Sequence, residues 1–175
     1  LGKRLYPLTS LTPKPLIHIH GKPFICYLID QLILNQIEEI FILTGFFSEK
    51  FKPNIKAHYN SHDAKKIHIC PTPVEYETGQ RVLKIKDKIN GDFLFLYGDN
   101  YWPFSRSQLE KHRRNFSFEA QIVCYKNSDN YSSSNIKLGK SFKIKDYTKN
   151  RGQPNYSHVD IGFGIFKKEH LKFLK

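Results

Sequence analysis

Asp99 stands where a carboxylate can do phosphoryl chemistry. It follows Phe93-Leu94-Phe95-Leu96-Tyr97, the most apolar run in the chain, with only Gly98 between. A run of that kind reads as a buried strand, and in layered α/β proteins ligands gather beyond the carboxyl ends of the strands. A carboxylate at that edge can hold Mg²⁺, which prefers one or two protein carboxylates completed by phosphate oxygens and water. Gly98-Asp99-Asn100 suits a tight turn or a helix cap equally well, so Asp99 alone leaves both uses open. Cations stand at the start of the chain. Gly2-Lys3-Arg4-Leu5-Tyr6-Pro7-Leu8-Thr9, Pro13-Lys14-Pro15-Leu16 and Gly21-Lys22-Pro23 set basic residues on a proline-bounded loop ahead of a helix. Glycine admits close backbone approach and Arg and Lys neutralise phosphate, although the P-loop pattern G-x-x-x-x-G-K-[ST] does not occur. A solvated basic loop has the same composition.

These residues need elements to hold them. The prolines and Gly21 keep the first 22 residues irregular. Pro23 then suits a first helical turn, and Ile25, Leu28, Ile29, Leu32 and Leu34 follow at mostly helical spacing. Ile40 to Leu43, closed by Thr44-Gly45, and Lys66 to Cys70 read as strands. Short helices interrupted at Pro53 are expected over 46–60, and a helix carries Val82, Leu83, Ile85 and Ile89. Ser105 is a candidate N-cap for a helix reaching about Arg114. Strands are expected over 119–125 and 159–166, with short ones at Ile136, Phe142 and Ile144, a loop over 127–135, and a helix starting at Glu169. Strands alternating with helices over the first two thirds predict an α/β layered domain with a mostly parallel central sheet.

Composition narrows the class. The chain has 175 residues, 39% hydrophobic, with 28 Lys and Arg against 16 Asp and Glu, a formal charge of +12. That apolar content excludes a disordered polyelectrolyte, and no stretch nears the roughly 20 apolar residues of a membrane span. The excess charge favours an anionic partner but does not choose between nucleic acid and small phosphates. The basic residues are mostly scattered, without finger spacing or an RNA-binding aromatic motif, which disfavours nucleic acid. Cys26, Cys70 and Cys124 form no close pair, which argues against a disulfide scaffold and for a reducing, cytoplasmic setting. His58 and His62 have the i, i+4 spacing of a metal pair but lack a third ligand, so a surface helix is the better reading. Tyr76, Tyr97, Tyr101, Trp102 and Phe104 could stack on a base or pack in the core.

The three basic blocks and the Gly98-Asp99-Asn100 run together resemble the signatures of the sugar-phosphate nucleotidyltransferases. In that family Gly-Gly-x-Gly-Thr-Arg-Leu-x-Pro-Leu-Thr is followed by Pro-Lys-Pro-Leu, Gly-Lys-Pro and an apolar run ending in Gly-Asp. The resemblance spans essentially the whole chain and weakens beyond Trp102. It implies a Rossmann-like domain of the GT-A type over residues 1–175, and transfer of a nucleoside monophosphate from an NTP to a sugar 1-phosphate with Mg²⁺. Carried over residue by residue, it implies that Gly2 lies over the nucleotide, Arg4 meets the triphosphate, and Lys14 reaches the phosphates at the reacting centre. It makes Asp99 the Mg²⁺ ligand and places Gly79 and Gln80, in Thr78-Gly79-Gln80, beside the base. Lys149, Asp160 and Gly162 fall at the sugar-phosphate end, with Asp160 where the family commonly has Asn. The reaction fits the residue types, because a sugar 1-phosphate is already ionised and needs charge neutralisation and positioning rather than a strong base.

The chain also departs from the pattern. The first strand and the start of the glycine signature are absent, as is the later Trp-x-Asp-x-Gly-Thr segment that carries a second metal-binding Asp. A domain truncated at both ends is therefore expected, with neighbours of the absent central strand left unpaired and an open core. Ser132-Ser133-Ser134 stands where many members have a glycine. Two other readings stay open: a non-catalytic regulatory member of the same fold, and a basic nucleic-acid-binding module. The base, the sugar and any homo-oligomeric state are not legible.

Overall fold

The structure, a computed structural model, describes residues 5–115 and 120–174. A two-residue hairpin, β1 (His18–Ile19) and β2 (Lys22–Pro23), leads into α1 (Phe24–Leu34). There follow β3 (Ile40–Thr44), α2 (Phe51–Lys56), α3 (Ser61–Lys65), β4 (Ile67–Pro71), α4 (Thr78–Lys84), β5 (Phe93–Leu96) and α5 (Arg106–Asn115). The last third holds β6 (Ala120–Lys126), β7 (Ile136–Leu138), β8 (Ile144–Tyr147) and β9 (His158–Phe166).

Alternation along β3 and β5 builds the layers. Ile40 and Ile42, with Leu94 and Leu96, pack on the buried stripe Ile25, Cys26, Ile29 and Leu32 of α1 and on Phe51 and Ile55 of α2. Phe41 and Leu43, with Phe93 and Phe95, turn to the other side and meet Val82, Ile85, Ile89 and Leu171. Successive side chains of a strand point to opposite faces, so these two runs are covered by helical segments on both sides. This is the α/β layered architecture that the apolar runs predict.

The strand pairing is mixed. β3 and β4 are parallel in the register Ile40↔Ile67 to Thr44↔Pro71. β9 pairs antiparallel with β5, β6 and β7, and β7 pairs antiparallel with β8. No α-helix separates β6 through β9, so these strands return directly on one another. Among the described residues β3 and β5 each have one unpaired edge. A cavity of about 960 Å³ is lined by both strands and by Ile25, Leu28, Ile29 and Val82.

Four local expectations are corrected. Pro53 does not interrupt a helix but sits third in α2, where a missing N–H breaks no intrahelical bond. Phe142 lies in a 3₁₀ turn, Lys140–Phe142, rather than a strand, and the C-terminal segment is 3₁₀ over Lys168–Phe173 rather than α. The amide of Arg106 at the start of α5 is satisfied by Asn35 Oδ1 at 2.8 Å, whereas the Ser105 hydroxyl meets that of Ser107. A cap from the end of α1 thus replaces the local one. His58 lies in the turn after α2 and His62 in α3, and no cluster of three or more metal-ligating side chains occurs among the described residues. No helix there is long and apolar enough to cross a membrane.

Candidate active site

Two loops distant in sequence meet at the carboxyl end of β5. Pro13 and Pro15 flank Lys14 in a 3₁₀ turn that Leu16, 2% exposed, anchors in the core. With both neighbours fixed in φ, the lysine side chain leaves a rigid base. Pro15 packs on Gly98, whose notional Cβ would lie 3.6 Å from Pro15 Cγ. Lys14 Nζ donates to Asp99 Oδ2 at 2.8 Å, and both side chains keep about two fifths of their surface exposed, 44% and 41%. The basic loop and the Gly-Asp turn are therefore one site, and the carboxylate is not merely capping a turn.

The Asp99 turn is tied to β9. Tyr97 N–H donates to Gly162 O at 2.8 Å, and Asn100 Nδ2 donates to Ile161 O at 2.8 Å. At this point the β6–β9 register shifts between Val123↔Phe163 and Cys124↔Asp160, a bulge of the kind that re-aims side chains beside active sites. Gly162 sits in the bulge with φ +73°, and the Tyr97 ring occupies the space any side chain there would need. The Asp160 carboxylate accepts from Tyr147 Oη at 2.9 Å and from Gly162 N at 2.7 Å. Its own amide donates to Oδ1 of Asn135, which is 2% exposed. Burial, and then the Asp160 contact, push the Tyr147 phenol up to about 12. Burial first, then the Asp160 charge, also raise Tyr97, with Lys149 and Arg151 acting in the opposite sense.

Thr78, Gly79 and Gln80 form the first turn of α4. The Glu77 carboxylate accepts from the Gln80 backbone, and Gln80 Oε1 accepts the Glu77 amide at 2.9 Å, a reciprocal cap. The Glu77 carboxylate also reaches Lys149 Nζ at 3.2 Å, an exposed pair linking this turn to the segment after β8. Of the residues singled out from sequence, the structure joins Lys14 with Asp99, and Asp160 with Gly162 beside Tyr97. It brings Lys149 to the Gly79-Gln80 turn through Glu77. Gly2 and Arg4 lie outside the described residues. Phe104 packs on Phe163, with ring centroids 4.9 Å apart, while Tyr97, Tyr101 and Trp102 stay partly exposed near the turn. Sequence reasoning missed Glu77, Tyr147 and Asn135. Only Glu77 carried a local signal, its spacing of three from Gln80.

The layered fold and the meeting of these loops define an α/β domain with a lysine and a carboxylate paired beyond the end of β5. The model for the family described as nucleotidyl transferase matches residues 1–175, and the chain belongs to that family. It is 41% identical over 179 residues to the bifunctional protein GlmU of Methanococcus vannielii, covering 98% of this chain and 39% of that protein. It is 28% identical over 124 residues to the UTP–glucose-1-phosphate uridylyltransferase AglF of Haloferax volcanii, covering 70% of this chain and 49% of the relative. The chain thus spans about two fifths of the length of the GlmU relative and half that of AglF. Its fold matches that of a putative glucose-1-phosphate thymidylyltransferase from Bacillus anthracis, with TM-score 0.80 and 18% identity, over 98% of this chain and 70% of that one.

Proposed function

We propose that the protein transfers a nucleoside monophosphate from an NTP to a sugar 1-phosphate. The observation that carries this reading is the bond from Lys14 to Asp99, which joins two loops 85 residues apart at the carboxyl end of β5. In the proposed step an oxygen of the sugar 1-phosphate attacks the α-phosphorus. The new P–O bond forms as the bond to the β-phosphate bridge breaks, and pyrophosphate leaves with that electron pair. No proton need be removed from the nucleophile, which is already an anion. The difficulty is holding two anions together, and positioned cations lower that cost.

Lys14 is assigned to the phosphates at the reacting centre. Gly2 is assigned to the loop over the nucleotide and Arg4 to its triphosphate, and Gly79 and Gln80 to the base. Lys149, Asp160 and Gly162 are assigned to the sugar phosphate. Asp99 would hold Mg²⁺, and its environment suits that ion: a single partly exposed carboxylate leaves coordination positions for phosphate oxygens and water. When bound, the metal would neutralise phosphate charge. Lys14 and Asp99 pair with each other here, so each would exchange its partner for substrate or ion.

A pyrophosphate-release panel tests the reading, with four NTPs against several sugar 1-phosphates. One pair should release pyrophosphate in a Mg²⁺-dependent manner, and Asp99→Asn should lower that rate on the order of 10²-fold. Activity retained in Asp99→Asn would remove Asp99 from the metal role. No release from any pair would overturn the transferase reading.

A further inference from the structure

Arg81 has no part in the site just described, yet its guanidinium makes three hydrogen bonds to one neighbouring segment. It lies in α4, one residue past the Thr78-Gly79-Gln80 turn, and its guanidinium folds back under the segment 72–77. Nε donates to Tyr76 O at 2.9 Å, one Nη donates to Val74 O at 3.0 Å, and the other donates to the Thr72 hydroxyl. The partners are two backbone carbonyls and one hydroxyl. No carboxylate meets Arg81 among the described residues. An ion pair is therefore not why the guanidinium is there. Three acceptors arranged around one planar fork are what it satisfies, and only arginine offers that set of donors.

The seat is built on the far side as well. A Cβ on Gly45 would lie 2.6 Å and 2.8 Å from the two Nη atoms, so the glycine at the end of β3 is what admits the guanidinium. Thr72 is fixed independently. Its amide and its hydroxyl both donate to Thr44 O, at 2.7 Å and 2.8 Å, and Thr44 and Thr72 are both buried. A continuous chain of bonds thus runs from the end of β3 through Thr72 and Arg81 to Val74 and Tyr76.

The segment it holds has little else to hold it. Pro73, Val74, Glu75 and Glu77 are exposed, and only one internal backbone bond, Tyr76 N–H to Pro73 O at 3.2 Å, braces the turn. With so little apolar surface buried, its shape depends on its hydrogen bonds. Its last residue, Glu77, is the cap of α4 and the partner of Lys149. The orientation of the Thr78-Gly79-Gln80 turn therefore follows from where the segment is held.

We propose that Arg81 is a positioning residue for the nucleotide: seated against Gly45, its guanidinium sets segment 72–77 and so aims the Gly79-Gln80 turn. This rests on the assignment of that turn to the base under the proposed function. Arg81 touches no reacting atom. Its loss should weaken NTP use far more than sugar-phosphate use, because Glu77 reaches the sugar-phosphate end only through its exposed pair with Lys149.

The test compares Arg81→Lys and Arg81→Ala with the unaltered protein, by steady-state kinetics and by hydrogen exchange at the amides of Val74 to Glu77. Circular dichroism checks that each variant is folded. Both variants should raise KM for the NTP about tenfold or more, since small displacements in a positioned site are costly. KM for the sugar 1-phosphate should stay within about twofold, a split that a general loss of structure would not produce. Lysine keeps the charge but not the fork, so Arg81→Lys should resemble Arg81→Ala, and added methylguanidinium should restore NTP use to Arg81→Ala only. Exchange over 74–77 should quicken in both variants. Unchanged exchange, or quickened exchange with an unchanged KM for the NTP, would overturn the proposal. If Arg81→Ala is unfolded, Thr72→Val decides: it removes the hydroxyl acceptor and should shift the same KM in the same direction. If the unaltered protein releases no pyrophosphate from any NTP, the transferase reading fails, and Arg81 loses its positioning role with it.

Discussion

Substituting Gly162 by alanine should cost about 1–4.5 kcal/mol net, from two penalties that the structure separates less a smaller gain from the unfolded chain. The residue has φ +73°, a conformation that costs an L-residue about 1–2 kcal/mol. The added methyl would also stand 2.7 Å from Tyr97 Cγ and 2.8 Å from Cε2. The ring atom Cδ2 lies nearer still, and carbon atoms in contact rest about 3.5–4.0 Å apart, so ring and backbone must separate by well over about 1 Å. The ring can retreat only toward its exposed side, because its backbone is fixed by the amide bond to Gly162 O at 2.8 Å and one edge meets Phe95. Overpacking of this kind costs about 1–3 kcal/mol. Alanine also stiffens the unfolded chain and returns about 0.4–1 kcal/mol. The net loss is a large part of the roughly 5–15 kcal/mol that stabilises a domain. Urea unfolding followed by circular dichroism measures it, with the same substitution repeated in a Tyr97→Ala background. There the contact is gone and only the backbone term, about 1–2 kcal/mol before the same unfolded-chain gain, should remain. A loss below about 0.5 kcal/mol, or an equal penalty in both backgrounds, would refute the reasoning.

Tyr147 provides a second test. Its folded value is raised from the ordinary 10.0 to about 12, chiefly by burial and then by the Asp160 bond. A raised value means the folded state holds the proton more tightly. The stability associated with Tyr147 should be complete below pH 10 and fall as pH rises towards 12, which paired pH titrations of unfolding for the protein and Tyr147→Phe will show. Asp160→Asn should lower the midpoint at which tyrosinate absorbance appears, and an unmoved midpoint would sink the assigned contact. Burial also raises the thiol of Cys26, which is fully enclosed at 0% exposure. Cys26 should resist a thiol reagent in the folded protein and react once denaturant is added, followed by mass spectrometry of labelled peptides; rapid labelling in the folded state would contradict its placement.

Much of the site was legible because its parts are short and rigid. Pro13 and Pro15 fix the backbone around Lys14 by their rings alone, and Gly98-Asp99 follows β5 with no freedom to wander. Their meeting at 2.8 Å was not legible, since it depends on Pro15 packing on Gly98. The carboxyl group of Asp160 could be read from the chain, but not its partners. Tyr147 and Asn135 come from other segments, brought beside Asp160 by the β7–β9 pairing and the bulge at Gly162. The cap of α5 shows the same limit: Ser105 has the right chemistry, and a distant asparagine supplies the bond.

Local sequence determined that this is a layered α/β chain with cations and a carboxylate at strand ends. Alternation, proline and glycine act over a few residues, and the buried faces of β3 and β5 follow from them. Tertiary structure decided which strand ends face one another. It made β9 the antiparallel centre of the last five strands and left β3 and β5 with unpaired edges on a common cavity. It also turned Arg81, one of 28 basic residues and indistinguishable from a solvated cation by spacing, into the brace of segment 72–77. A guanidinium acquires that role only where three acceptors and a missing Cβ converge, and convergence is a property of packing rather than of order along the chain.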